Sequence, residues 1–135
     1  MKIITMCKSL VLVTALLASA NAMAYSPEEL DKSCKKPHIT DFNLVEFKAP
    51  ENLEVPAEAE FIIKFSPWAD PSTIKLLAKK EALPFTIESN SSFHKIKAKL
   101  PASLNGSFAR INVSVKALLG CESKDGWLVK VANPN

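Results

Sequence analysis

The stretch from Ser107 to Leu119 alternates so regularly that it leaves one secondary structure open. Ala109, Ile111, Val113, Val115 and Ala117 fall on one side, and Arg110, Asn112, Ser114 and Lys116 on the other. Successive side chains of a β-strand point to opposite faces, so the pattern is a strand with one face buried and one in water. A helix cannot produce it, because its faces repeat every 3.6 residues.

The rest of the chain follows the same rule. His94, Ile96, Ala98 and Leu100 share one face and Lys95, Lys97 and Lys99 the other. Ile74, Leu76 and Ala78 alternate with Lys75, Leu77 and Lys79, and Trp127, Val129 and Val131 with Leu128 and Lys130. Phe42, Leu44 and Glu46 alternate with Asn43, Val45 and Phe47; Phe61–Phe65 is a short apolar run of core type, and Phe85–Ile87 is a weaker strand. Turn-forming residues separate these runs at Ala49-Pro50, Ser66-Pro67, Asp70-Pro71, Ser89–Ser92, Asn105-Gly106 and Asp125-Gly126. Asn-Gly and Asp-Gly are tight-turn signals. About seven short strands at this spacing predict an all-β sandwich or barrel. The one helical piece expected is Pro27 to Ser33, with Ser26 as its cap and Glu28 and Glu29 in the first turn.

The N-terminus sets a compartment. Lys2 and Lys8 flank a polar start, Leu10 to Ala20 is apolar, and Ala22-Met23-Ala24 is a small-x-small site. That is the pattern of a secretory signal peptide over residues 1–24, with Ala20-Asn21-Ala22 as a second cleavage site. The apolar run is shorter than the roughly 20 residues that span a bilayer. Cleavage after Ala24 leaves 111 residues from Tyr25, with 15 basic and 14 acidic side chains once Lys2 and Lys8 are gone. One domain of 39–132 is expected, preceded by a segment 25–38 and followed by a tail 133–135. Of three cysteines, Cys7 leaves with the signal. Cys34 and Cys121 remain, and an even pair in an exported chain implies a disulfide. A metal site at Cys34 and His38 is the competing reading, with only His94 left to join it.

Ala49-Pro50 with Val55-Pro56, the strand ending in Phe65-Ser66, Leu100-Pro101-Ala102-x-Leu104-x-Gly106 and the closing Asp125-Gly126-Trp127-Leu128-Val129-Lys130-Val131 together resemble the small periplasmic copper-resistance protein C family and related bacterial immunoglobulin-like modules. The resemblance covers most of the mature chain and implies an immunoglobulin-like β-sandwich of about seven antiparallel strands, here with one disulfide. It also implies a copper(II) site built from a histidine at the mature N-terminus and an Asp-x-His before the last strand. This chain has Tyr25 at the first place and Gly120–Asp125, without histidine, at the second; Met1, Met6 and Met23 all leave with the signal. His38 and His94 are the imidazoles that a copper-handling relative would have to use.

Catalytic motifs are missing from the sequence. Gly106, Gly120 and Gly126 are its three glycines, so no phosphate-cradling loop can form, and no elbow motif surrounds a serine. An enzyme is therefore not expected, nor a cofactor. Nucleic acid is excluded as a partner by near-zero net charge and a lone arginine, Arg110. The expected activity is binding, in the periplasm or outside the cell, with no transmembrane segment in the mature chain. The expected partner is another envelope or extracellular protein, or an anionic glycan or lipid surface. Trp68, in the proline-bracketed Ser66-Pro67-Trp68-Ala69-Asp70-Pro71, is either an aromatic binding residue or a cap on the core. Leu118 and Leu119 raise the same choice. Lys95, Lys97 and Lys99 form a basic stripe, either anion-attracting or a solvated face. A secreted single-domain protease inhibitor is a further alternative, though no Asn-Pro-Thr-Thr-Gly loop is present.

Overall fold

A computed structural model describes residues 33–134. The expected helix at 27–33 lies outside this range except for Ser33, as does the leader. Among the described residues there are eight strands: β1 (Ile39–Thr40), β2 (Glu60–Phe65), β3 (Ala69–Ala78), β4 (Glu81–Ala82), β5 (Phe85–Ser89), β6 (His94–Lys99), β7 (Phe108–Ala117) and β8 (Glu122–Lys130). They form two antiparallel sheets, ordered β1-β2-β6-β5 and β4-β3-β7-β8. These orders match strands A, B, E and D of an immunoglobulin-like sandwich on one side, and C′, C, F and G on the other. The chain is an immunoglobulin-like β-sandwich, closed by one disulfide between Cys34 and Cys121.

The alternating residues meet between the sheets. Phe61, Ile63 and Phe65 of β2 face Leu76 of β3 and Ile111, Val113 and Val115 of β7 across one continuous core, with Ile96, Val129 and Val131 completing it. Each is almost wholly shielded. Burying such a side chain contributes roughly 1.5–3 kcal/mol, which makes the pattern decisive for the fold.

Three local expectations are corrected. Phe42 to Phe47 is not a strand. Here the chain leaves β1 at Asp41, in a left-handed conformation (φ 60°), and crosses to the other sheet. Phe42 stacks on Trp127 at 4.1 Å, Phe47 N–H donates to Leu128 O at 2.8 Å, and Val55 pairs with Val131 in parallel. The crossing covers the outer edge of β8, a device that protects an edge strand from pairing with other chains. Asp70-Pro71 lies within β3 rather than between strands: pairing with β7 runs through Ala69 and Asp70, shifts register, and resumes at Lys75. Such a bulge is where a strand accommodates proline. Asp125-Gly126 is likewise mid-strand, with Asn112 opposite Gly126. By contrast Asn105-Gly106 does turn the chain, with Gly106 at φ 77° and Ser107 N–H bonded to Leu104 O at 3.0 Å.

Candidate functional site

Four segments meet at one end of the sandwich: the run Cys34–His38 leading into β1, the β2–β3 loop at Ser66–Trp68, the β5–β6 turn at Asn90–Phe93, and the β7–β8 turn at Leu118–Cys121. Hydrogen bonds tie the first, second and fourth of these together. His38 N–H donates to Ser66 Oγ at 2.7 Å, Leu118 N–H to Trp68 O at 3.1 Å, and Ser123 Oγ to Pro37 O at 2.6 Å. Cys34 and Cys121 are bonded with their Cα atoms 6.0 Å apart, across a sequence separation of 87. The pair therefore pins the entry to β1 onto the start of β8, between the two sheets' ends rather than through the core.

Trp68 lies against this disulfide. Cys34, Cys121 and Ala117 form a small buried cluster, and the half-buried indole packs on it. Its Nε1–H donates to Lys36 O at 3.2 Å, the Lys35 ammonium stands 3.9 Å from the ring centroid, and His38 meets the ring edge-on at 5.6 Å. Trp68 thus covers the staple and binds the N-terminal segment to the β2–β3 loop.

The β7–β8 turn is different in kind. Gly120 N–H donates to Ala117 O and Ala117 N–H to Cys121 O, both at 2.8 Å, with Gly120 at φ 104°. A side chain in that conformation is strained, which explains the glycine. Leu118 and Leu119 at the tip are 70% and 77% exposed. A tight turn, a backbone bond to Trp68 and a disulfide at its base hold two leucines out in water.

His94 also reaches this end. Its ring nitrogens contact Ser89 Oγ (2.6 Å, Nδ1) and Pro67 O (3.3 Å, Nε2). A carbonyl only accepts, so Nε2 carries a proton. Ser89 and His94 have the spacing of a nucleophile and its base, but they are cross-strand partners in an exposed hairpin. The nearby N–H groups of Ser92 and Phe93 are both bonded to Asn90 Oδ1, so these two donors are not free to hold an oxyanion. His38 and His94 come to the same end, on either side of Ser66-Pro67. Among the described residues no three His, Cys, Asp or Glu side chains gather as a metal site.

Lys95, Lys97 and Lys99 lie elsewhere, on the outer face of the β1-β2-β6-β5 sheet. Lys95 pairs with Glu88 (3.1 Å), Lys99 with Glu58 (4.0 Å) and the neighbouring Lys64 with Asp41 (3.6 Å). Among the described residues Lys97 forms no ion pair. The stripe is mostly neutralised in place, as a solvated face is. The opposite sheet carries a shallow cleft lined by Lys75, Leu77, Asn112, Ser114, Lys124 and Asp125.

The sequence does not reveal that Lys35 and Lys36 are brought, through Trp68 and the disulfide, to the end that carries the leucine tip. Their position one and two residues after Cys34 would have signalled it, given the bond to Cys121.

No protein-family model and no curated protein matches the chain. Among solved structures it is similar to titin M4 in a trigonal form, at 13% identity and a TM-score of 0.39, covering 72% of this chain and 94% of that one. The immunoglobulin-like assignment rests on the strand order of the sandwich itself.

Proposed function

We propose that the chain is an exported, non-enzymatic interaction module of the periplasm or extracellular space, and that it binds through its disulfide-clamped end. The leader pattern of residues 1–24 supports export, and so does a bonded cysteine pair, which is rare outside oxidising compartments. The observation that carries the binding end is the exposure of Leu118 and Leu119, 70% and 77%, on a braced turn. Scattered apolar residues on a surface need no explanation. Two adjacent leucines held rigidly outward do, because a folded chain gains nothing by ordering them there.

Export is tested by fractionation and intact mass: the exported form should begin at Tyr25. The binding end is tested in the expressing cell with a photo-crosslinking residue at position 119, and another at Lys97 on the opposite sheet as control. Adducts at 119 and none at 97 are expected; equal yield at both positions removes the assignment.

A second reading has one observation in its favour, the placement of His38 and His94 at the same end. It makes the protein a copper-handling relative of the copper-resistance protein C family. Copper would have to displace at least one ring partner of His94. Titration of the exported protein, with His38→Ala and His94→Ala beside it, decides this reading; no binding tighter than micromolar ends it.

A further inference from the structure

We infer that the clamped end docks on an anionic phospholipid surface, with Leu118 and Leu119 entering the headgroup layer. This rests on the reading above that the same end is the binding end, and adds what it binds.

The argument turns on what surrounds the leucines. Lys116 precedes the turn by two residues, and Lys124 follows shortly on β8. Lys35 and Lys36 arrive through the disulfide, since Cys34 is bonded to Cys121. All four are exposed. Among the described residues three carboxylates stand near them, and one of these, Asp125, directly follows Lys124. Glu122 is 3.6 Å from the Lys124 ammonium. Asp70, opposite Lys116 in the sheet, is occupied by the Ser72 N–H and hydroxyl at 3.0 and 2.7 Å. Among the described residues, four lysines against three carboxylates leave the surroundings of the apolar tip basic by one charge.

That combination separates a bilayer from a protein. Protein interfaces are depleted in lysine, leucine is under-represented among the residues that dominate their energy, and a specific interface needs about 800 Å² per partner. A two-residue knob offers little of that area. A bilayer asks for something else: a few apolar side chains inserted at the headgroup boundary, and lysines whose stems lie along the apolar layer while their charges meet lipid phosphates. Trp68, half-buried beside the tip with Lys35 over its ring, has the amphipathic character favoured at that boundary. Rigidity serves this mode, because the turn inserts without losing conformational freedom.

The test is co-flotation of protein purified after export with vesicles of phosphatidylcholine alone or with a third phosphatidylglycerol. Binding is expected to the mixed vesicles, at least ten-fold weaker to phosphatidylcholine, and at least ten-fold weaker at high salt. Leu118→Ser with Leu119→Ser should remove it while leaving the melting temperature unchanged; Lys35→Glu with Lys36→Glu should weaken it several-fold; Lys97→Ala should not alter it. Binding that survives the paired serine variant, or that ignores lipid charge, overturns the inference. Absence of vesicle binding also overturns it. If crosslinks at position 119 then lead to a protein, the binding end stands and its partner is that protein. If there are none, both readings fall.

Discussion

The Lys35 ammonium stands 3.9 Å from the centroid of the Trp68 indole, although 32 residues lie between them in the chain. With the Nε1–H bond to Lys36 O, this makes Trp68, beside Ser66 and Ser123, one of the side chains that attach the N-terminal segment to the sandwich beyond the disulfide. Trp68→Ala should lower stability by about 2–3 kcal/mol, less than a fully buried tryptophan because the ring is half exposed. Trp68→Phe keeps the packing and loses the hydrogen bond, so about 1 kcal/mol is expected. Urea denaturation of both variants checks this, and equal losses would show that the indole N–H contributes nothing.

The disulfide closes a loop spanning most of the described chain. Replacing Cys34 and Cys121 together by serine should cost about 2–4 kcal/mol; the chain-entropy estimate of about 4.5 kcal/mol is an upper value. Detachment of the N-terminal segment should also bare Trp68. In a Trp127→Phe background, where Trp68 is the remaining tryptophan, emission should shift to longer wavelength in the folded state. An unshifted spectrum would mean that the segment stays docked without the bond.

Much of this architecture is legible from the residues, and the failures have physical causes. Ser107–Leu119 and Phe93–Leu100 read correctly because each strand has one face in the core and one in water, which is the condition for a period of two. Phe42–Phe47 shows the same period without being a strand. Phe42 and Leu44 pack against the core while the backbone crosses between sheets, and alternation reports burial rather than pairing. Asp125-Gly126 misleads because the tight turn of that hairpin is at Leu118–Gly120, and Gly126 instead makes room mid-strand for the side chains of Asn112 and Arg110 on β7. The residues at the clamped end were mostly visible singly. Their convergence was not, since it depends on three loops and a disulfide at one end of two sheets.

Exposure should separate two sets of apolar residues that the sequence presents alike. Ile111 and Val115 are wholly buried, whereas Leu118 and Leu119 lie in water a few positions further on. Ile111→Ala should cost about 2–5 kcal/mol through lost burial and the cavity left behind. Leu118→Ser and Leu119→Ser should each fall within about 0.5 kcal/mol of the parent, as surface changes do. Thermal melts of the three variants make the comparison, and a large loss at either leucine would place it in the core.

The β3–β4 hairpin carries a backbone cost that no turn signal announced. Ala78 pairs with Glu81, so the loop is the two residues Lys79 and Lys80, at φ 50° and 69°. Two positive values in succession make a turn of type I′, whose twist suits a hairpin and whose usual residues are Asn and Gly. A side chain with a Cβ in that region pays a penalty that glycine avoids and asparagine reduces. Both lysines point to solvent, and among the described residues neither forms an ion pair. Lys79→Asn with Lys80→Gly should therefore raise stability by about 1 kcal/mol, even though glycine also loosens the unfolded chain. The gain should appear as a higher denaturation midpoint with an unchanged urea dependence. A lower midpoint would mean that the lysines contribute more at the surface than the turn costs the backbone.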